Sequence, residues 1–144
     1  MEKQGDWFLK TIYQLKDFPR GIRILYPQNR GDIAVLPHRT QILFSIEDDT
    51  IVATRQAIKH ILEKNGGEFL ITKTPEIISF HESVYESRSL DRETGLPRIL
   101  LVKCYPDGKD LFSAIEIKPA GRKSQLVTTA KVGKNYLRSL KKIR

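Results

Sequence analysis

Three histidines, His38, His60 and His81, are the side chains of this 144-residue chain that ordinarily titrate near neutrality. His60 stands beside Lys59 in a segment of helical spacing, and His81 closes a second one. Either ring can pass a proton at neutral pH, so both are candidate general acids or bases. The plain alternative is a structural or exposed ring. Lys103 follows Ile99-Leu100-Leu101-Val102. A cation at the end of such an apolar run must reach solvent, a partner or a ligand. Glu116 and Lys118 stand two apart in the next strand-like run and share a face with Phe112 and Ala114. Glu116 is a spare candidate base, unless it only pairs with Lys103 across the strands. Whether those two share a face depends on hairpin register. Thr128, Thr129, Lys131 and Tyr136 supply hydroxyls and an ammonium able to hold a phosphate, or are ordinary strand residues.

Other constellations point less far. Asp107, Glu116 and Lys118 match a Pro-Asp…Glu-x-Lys nuclease pattern, but Asp107 falls in a turn, away from Glu116. Glu47-Asp48-Asp49 suits the positive end of a helix without any metal. No metal or other cofactor is expected. Cys104 is the single cysteine, which excludes an internal disulfide and a multi-cysteine zinc site, and its strand context predicts a buried, inert thiol. Gly-rich phosphate loops, Gly-x-Ser-x-Gly and His-Glu-x-x-His do not occur.

Charge is unevenly placed. The chain holds 25 Lys+Arg and 17 Asp+Glu, a net +8. From Ile117 to Arg144 there is no acid, while Lys118, Arg122, Lys123, Lys131, Lys134, Arg138, Lys141, Lys142 and Arg144 are all cations. The rest of the chain is nearly neutral. A cation excess gathered at one end attracts polyanions, and nucleic acid is the commonest soluble one. The first eight of those cations, with Tyr136, are the candidate nucleic-acid contacts; a solvated basic tail is the alternative.

These residues need a scaffold. Hydrophobic residues make up 40% of the chain, enough for a core and one domain over 1–144. The longest apolar runs are four residues, too short to cross a membrane, and the amino-terminal residues lack the pattern of a secretory signal. A cytoplasmic protein is expected. Spacing predicts a helix over Asp6–Lys16, ended by Pro19 and Gly21, then extended pieces at Ile22–Leu25 and Asp32–Leu36. Gln41–Ser45 is ambiguous. A helix is expected from Thr50 to Asn65, stopped by Gly66-Gly67, then a short strand over Glu68–Thr72. Thr74 and Pro75 start another helix, and Ser83–Pro97 reads mostly as a loop. Ile99–Tyr105 and Leu111–Lys118 make a hairpin about Pro106-Asp107-Gly108. After Pro119-Ala120-Gly121 come a strand, Gln125–Ala130, and a basic helix, Gly133–Lys142. The fold class is α+β: amino-terminal helices packed on an antiparallel sheet of three or more strands, with a closing basic helix.

The ordered series Ile58-Lys59-His60-Ile61-Leu62, Pro75-Glu76-Ile77-Ile78, Gly95-Leu96-Pro97-Arg98 leading into Lys103, Leu126 to Ala130, and Asn135-Tyr136-Leu137 resembles the phage-associated nucleases of the barnase–EndoU–colicin–RelE superfamily. The resemblance covers residues 42–144; residues 1–41 form an extension outside it. It implies a metal-independent, toxin-like endoribonuclease, with the helix histidine at His60 and terminal-strand hydroxyls at Thr128 and Thr129. In such chemistry a base activates an RNA 2′-hydroxyl against the adjacent phosphate, an acid protonates the leaving oxygen, and cations steady the phosphorane. His60 or His81, Lys103, Glu116 and Thr128 are then the candidate catalytic residues. RNA is expected rather than DNA, because only RNA carries that hydroxyl. An inhibitor protein is a further candidate partner. The alternatives are a non-catalytic nucleic-acid-binding module and a protein-interaction or phage structural component.

Overall fold

The computed structural model describes residues 6–16, 30–106, 109–118 and 122–144. Their order is α1 (Asp6–Lys16), β1 (Arg30–Val35), α2 (His38–Leu43), β2 (Thr50–Thr54), α3 (Arg55–Leu62), α4 (Gly67–Phe80), β3 (Ser83–Leu90), β4 (Pro97–Lys103), β5 (Asp110–Glu116), β6 (Ser124–Val132), α5 (Lys134–Arg138) and β7 (Lys141–Lys142). The expected extended piece at 22–25, and the turn residues 17–29, 107–108 and 119–121, lie outside the described residues.

The fold is α+β. Among the described residues the sheet has seven strands in the order β1-β2-β6-β5-β4-β3-β7. It is mixed rather than antiparallel throughout, because β2 runs parallel to β6. The helices also depart from expectation: they are not gathered at the amino terminus. α1, α3 and α4 cover one face, over a core that includes Phe8, Ile51, Ile58, Ile61, Ile71, Ile77, Leu101 and Ile115. On the other face Leu100, Val102 and Ala114 pack under Leu137 and Leu140 from α5 and the residues after it.

The expected helix over 50–65 begins five residues late. Thr50–Thr54 is a strand whose middle residues, Ile51, Val52 and Ala53, are all buried. β-branched residues packed between two strands override the helical spacing. Thr54 is instead the cap of α3, its Oγ1 accepting from the Ala57 N–H at 3.1 Å. Gly66 has φ +73°, the left-handed turn the sequence suggested. A side chain at Gly67 would lie 2.3 Å from the Ile61 carbonyl oxygen, so only glycine fits the α3–α4 corner.

The expected strand over 68–72 is the first half of α4. Pro75 is not at a helix start but inside this 14-residue helix. Thr74 is not a cap: its Oγ1 donates to the Leu70 carbonyl at 3.0 Å and faces the sheet. The expected loop over 83–97 is mostly β3. Its polar sequence misleads because only Val84 is buried in it, while β4 and the short β7 satisfy its backbone. The hairpin of β4 and β5 forms as expected, and the closing helix is one short turn of five residues before β7.

Candidate functional site

Among the described residues, no hydrogen bond or ion pair joins any two of the five candidate catalytic residues. His60 is exposed on α3. His81 is 1% exposed, inside the fold. Its Nδ1–H donates to the Ile78 carbonyl at 2.8 Å, which leaves Nε2 to accept from the Thr40 hydroxyl at 2.7 Å. Burial, only partly offset by the Ile78 bond, lowers its pKa and keeps it neutral. Lys103 lies opposite Leu111 in the hairpin, so it points to the helix-covered face. There it is 3.7 Å from Glu82 and stacks over Tyr105.

Glu116 is on the other face, so no Lys103–Glu116 pair exists. Its Oε2 accepts from Arg98 Nε and NH2, both at 2.9 Å, and its Oε1 is 3.3 Å from Lys118. Thr128 accepts from Lys64 Nζ at 2.6 Å. Among the described residues β2 and β6 pair only at Ile51–Ser124 and Val52–Gln125, and no other described strand pairs with this edge of β6 beyond Gln125. Lys64, just after α3, reaches that edge, and desolvation there lowers its pKa. Thr129 points inward, in a buried hydroxyl chain with Thr74 at 2.8 Å and Ser113 at 2.9 Å.

The basic residues divide into two groups. Lys118 is held by Asp91 at 2.9 Å, Arg122 is paired with Glu93, and Lys123 reaches both oxygens of Asp32 at 3.0 and 3.1 Å. Burial pulls the Lys118 pKa down, but the bonds it donates to Asp91 and Glu116 outweigh it and the net shift is upward. Lys141 is exposed, 3.9 Å from Glu86. Lys131 and Tyr136 are exposed.

Lys134, Arg138 and Lys142 converge instead. Together they line a groove of about 360 Å³ between α5, β7 and the sheet face beneath. Among the described residues none of the three is ion-paired. Val102, Leu137 and Leu140 give the groove apolar walls, Ser83 and Tyr85 add polar edges, and Cys104 and Asp110 stand at its sheet end. Asp110 is only 8% exposed. Cys104 is exposed, not buried as its strand context suggested, because β4 ends one residue before it. Desolvation raises the Cys104 pKa, and the charges of Asp110 and Glu82 raise it further, against nearby Lys134.

Sequence reading missed Asp110, Cys104, Ser83 and Tyr85. Strand parity held the signal for Asp110, which shares the Phe112–Ala114–Glu116 face. Ser83 and Tyr85 were hidden in a segment read as loop. Among the described residues no three metal-ligating side chains are grouped to hold an ion, and no helix is long and apolar enough to cross a membrane. The chain matches no protein-family model, no curated protein and no solved structure.

Proposed function

We propose that the protein is a nucleic-acid-binding module that takes backbone phosphates in the α5 groove. The observation that carries this reading is the meeting of Lys134, Arg138 and Lys142, from two elements, around one concave site with no acid paired to them among the described residues. Unpaired cations arranged this way bind phosphates and release counterions, which gives affinity without chemistry. A ribonuclease needs its base, acid and phosphate-stabilising cation within reach of one scissile phosphate. His60, His81, Lys103, Glu116 and Thr128 lie on different elements, two of them on opposite faces of the hairpin. Binding is therefore favoured over cleavage.

The test is fluorescence anisotropy with a labelled mixed-sequence RNA oligonucleotide across a salt series. Tight binding at low salt, weakening steeply as salt rises, is expected. Lys134→Ala, Arg138→Ala and Lys142→Ala together should lower the low-salt affinity on the order of a hundredfold and flatten the salt slope by about two units. Arg92→Ala, outside the groove, should change it far less. Equal losses in both variants would overturn the groove assignment. RNA cleavage in excess EDTA, leaving cyclic-phosphate ends, would replace this reading with the ribonuclease.

A further inference from the structure

The α5 groove holds one feature that phosphate binding does not use: a buried carboxylate. Resting on the phosphate-binding reading above, we infer that the groove accepts a single unpaired nucleotide whose base turns inward, and that Asp110 selects bases carrying an exocyclic amino group over uracil or thymine.

Three observations carry this. The volume, about 360 Å³, lies at the small end of ligand sites. A concave site of that size takes one nucleotide and not a duplex, whose grooves are read by elements that protrude into them. The walls are of two kinds. Val102, Leu137, Leu140 and the half-buried ring of Tyr85 offer apolar surface for a base, and the three cations offer charge for phosphates. Finally, Asp110 is 8% exposed yet lines the groove beside Cys104, a weak donor. A carboxylate accepts and cannot donate, and a thiol leaves most of its capacity unused. An amino group on an inserted base supplies the missing donor, as Asp and Glu do for cytosine N4. Uracil and thymine instead turn carbonyl lone pairs toward the carboxylate on both sides of their one N–H. They also lose more when the acid is left unpaired.

The experiment is anisotropy at fixed low salt with short uridine oligonucleotides carrying one central cytidine, uridine or N4,N4-dimethylcytidine, and with a duplex of equal length. The cytidine oligonucleotide should bind about tenfold tighter than all-uridine. Dimethylation removes both donors and keeps the ring, so that oligonucleotide should fall to the uridine level. The duplex should bind more weakly than any of them. Asp110→Asn places an amide that both accepts and donates, so cytidine and uridine should bind it alike. Equal binding of cytidine and uridine by the native protein, or a preference surviving in Asp110→Asn, overturns the inference. The dimethyl arm uses native protein, so it does not depend on how the variant folds. Undiscriminating binding of every oligonucleotide overturns base selection and leaves the phosphate reading standing. No binding by any overturns both.

Discussion

The two ends of the β3–β4–β5 sheet region carry similar numbers of cations and use them differently. At one end Arg98, Lys118 and Arg122 face Asp91, Glu93 and Glu116, three cations against three acids. Lys118 is 4% exposed and Asp91 5%, so the centre of that cluster is desolvated and fully paired. At the other end Lys134, Arg138 and Lys142 surround a groove with Asp110 alone among them. Like residue types thus do different work. Cations neutralised within the fold have no field left for a ligand, whereas cations left in excess around a cavity do. Counting charge along the carboxyl-terminal segment could not separate the two, because the acids that silence Lys118, Arg122 and Lys123 come from Asp91, Glu93 and Asp32, far away in sequence.

The largest effect that sharpens this contrast is Lys118→Ala. Removing Lys118 from this buried pair leaves Asp91 uncompensated, while Glu116 keeps Arg98, and costs about 3–5 kcal/mol. Chemical denaturation should show that loss. Oligonucleotide affinity of the protein that remains folded should hold, since Lys118 does not line the groove. Equal damage to binding in the folded fraction would break the division between the ends.

The paired end also separates by pH from the buried histidine under the helices. At the paired end burial raises the Asp91 pKa, but the bonds from Lys118 and the Glu93 N–H outweigh it, so the net shift is downward. Its stabilisation is therefore complete above the ordinary carboxylate value of 3.8 and is lost as pH falls below it. Away from that cluster, His81 closes α4 with its ring bonded to Thr40 and Ile78, and its pKa is lowered from 6.5 by burial. Here the unfolded chain takes the proton first. Stability should fall as pH drops below about 6.5, by at most about 1.4 kcal/mol per unit, until the folded ring also protonates. Denaturation between pH 7 and pH 5 should show the slope, and His81→Gln should flatten it. A slope unchanged in that variant would assign it elsewhere.

How much of this was legible in the sequence follows from the range of the interactions. The β4–β5 hairpin was readable because its signal is local: two apolar runs about a turn. So was the break at Gly66 and Gly67. Thr50–Thr54 was misread because helical spacing and a buried strand both place apolar residues there, and only its neighbours β1 and β6 decide. Polar β3 was misread because its partners, β4 and β7, come later in the chain. Spacing groups eight cations with Tyr136, and three of them, Lys134, Arg138 and Lys142, line one groove. Which cations remain unpaired was settled by contacts that spacing cannot report. Thr128 is the plainest case: its position suggests a phosphate contact, and its partner, Lys64, is 64 residues away.

That pair gives the smallest test, because it lies at neither charged end. Lys64 spans the open edge of β6 from Thr128 Oγ1, at 2.6 Å, toward the Thr129 carbonyl, at 3.4 Å. Thr128→Val keeps the side-chain shape and removes the acceptor. The ammonium is left with the longer contact, so the cost should be about 1 kcal/mol in denaturation. Thr128→Ser, which keeps the hydroxyl, should lose less. Neither should alter oligonucleotide affinity or its salt slope, since no phosphate meets this hydroxyl when the ligand sits in the α5 groove. A binding defect in Thr128→Val with stability intact would move the ligand from α5 to the edge of β6 and return Thr128 to the role its sequence position suggested.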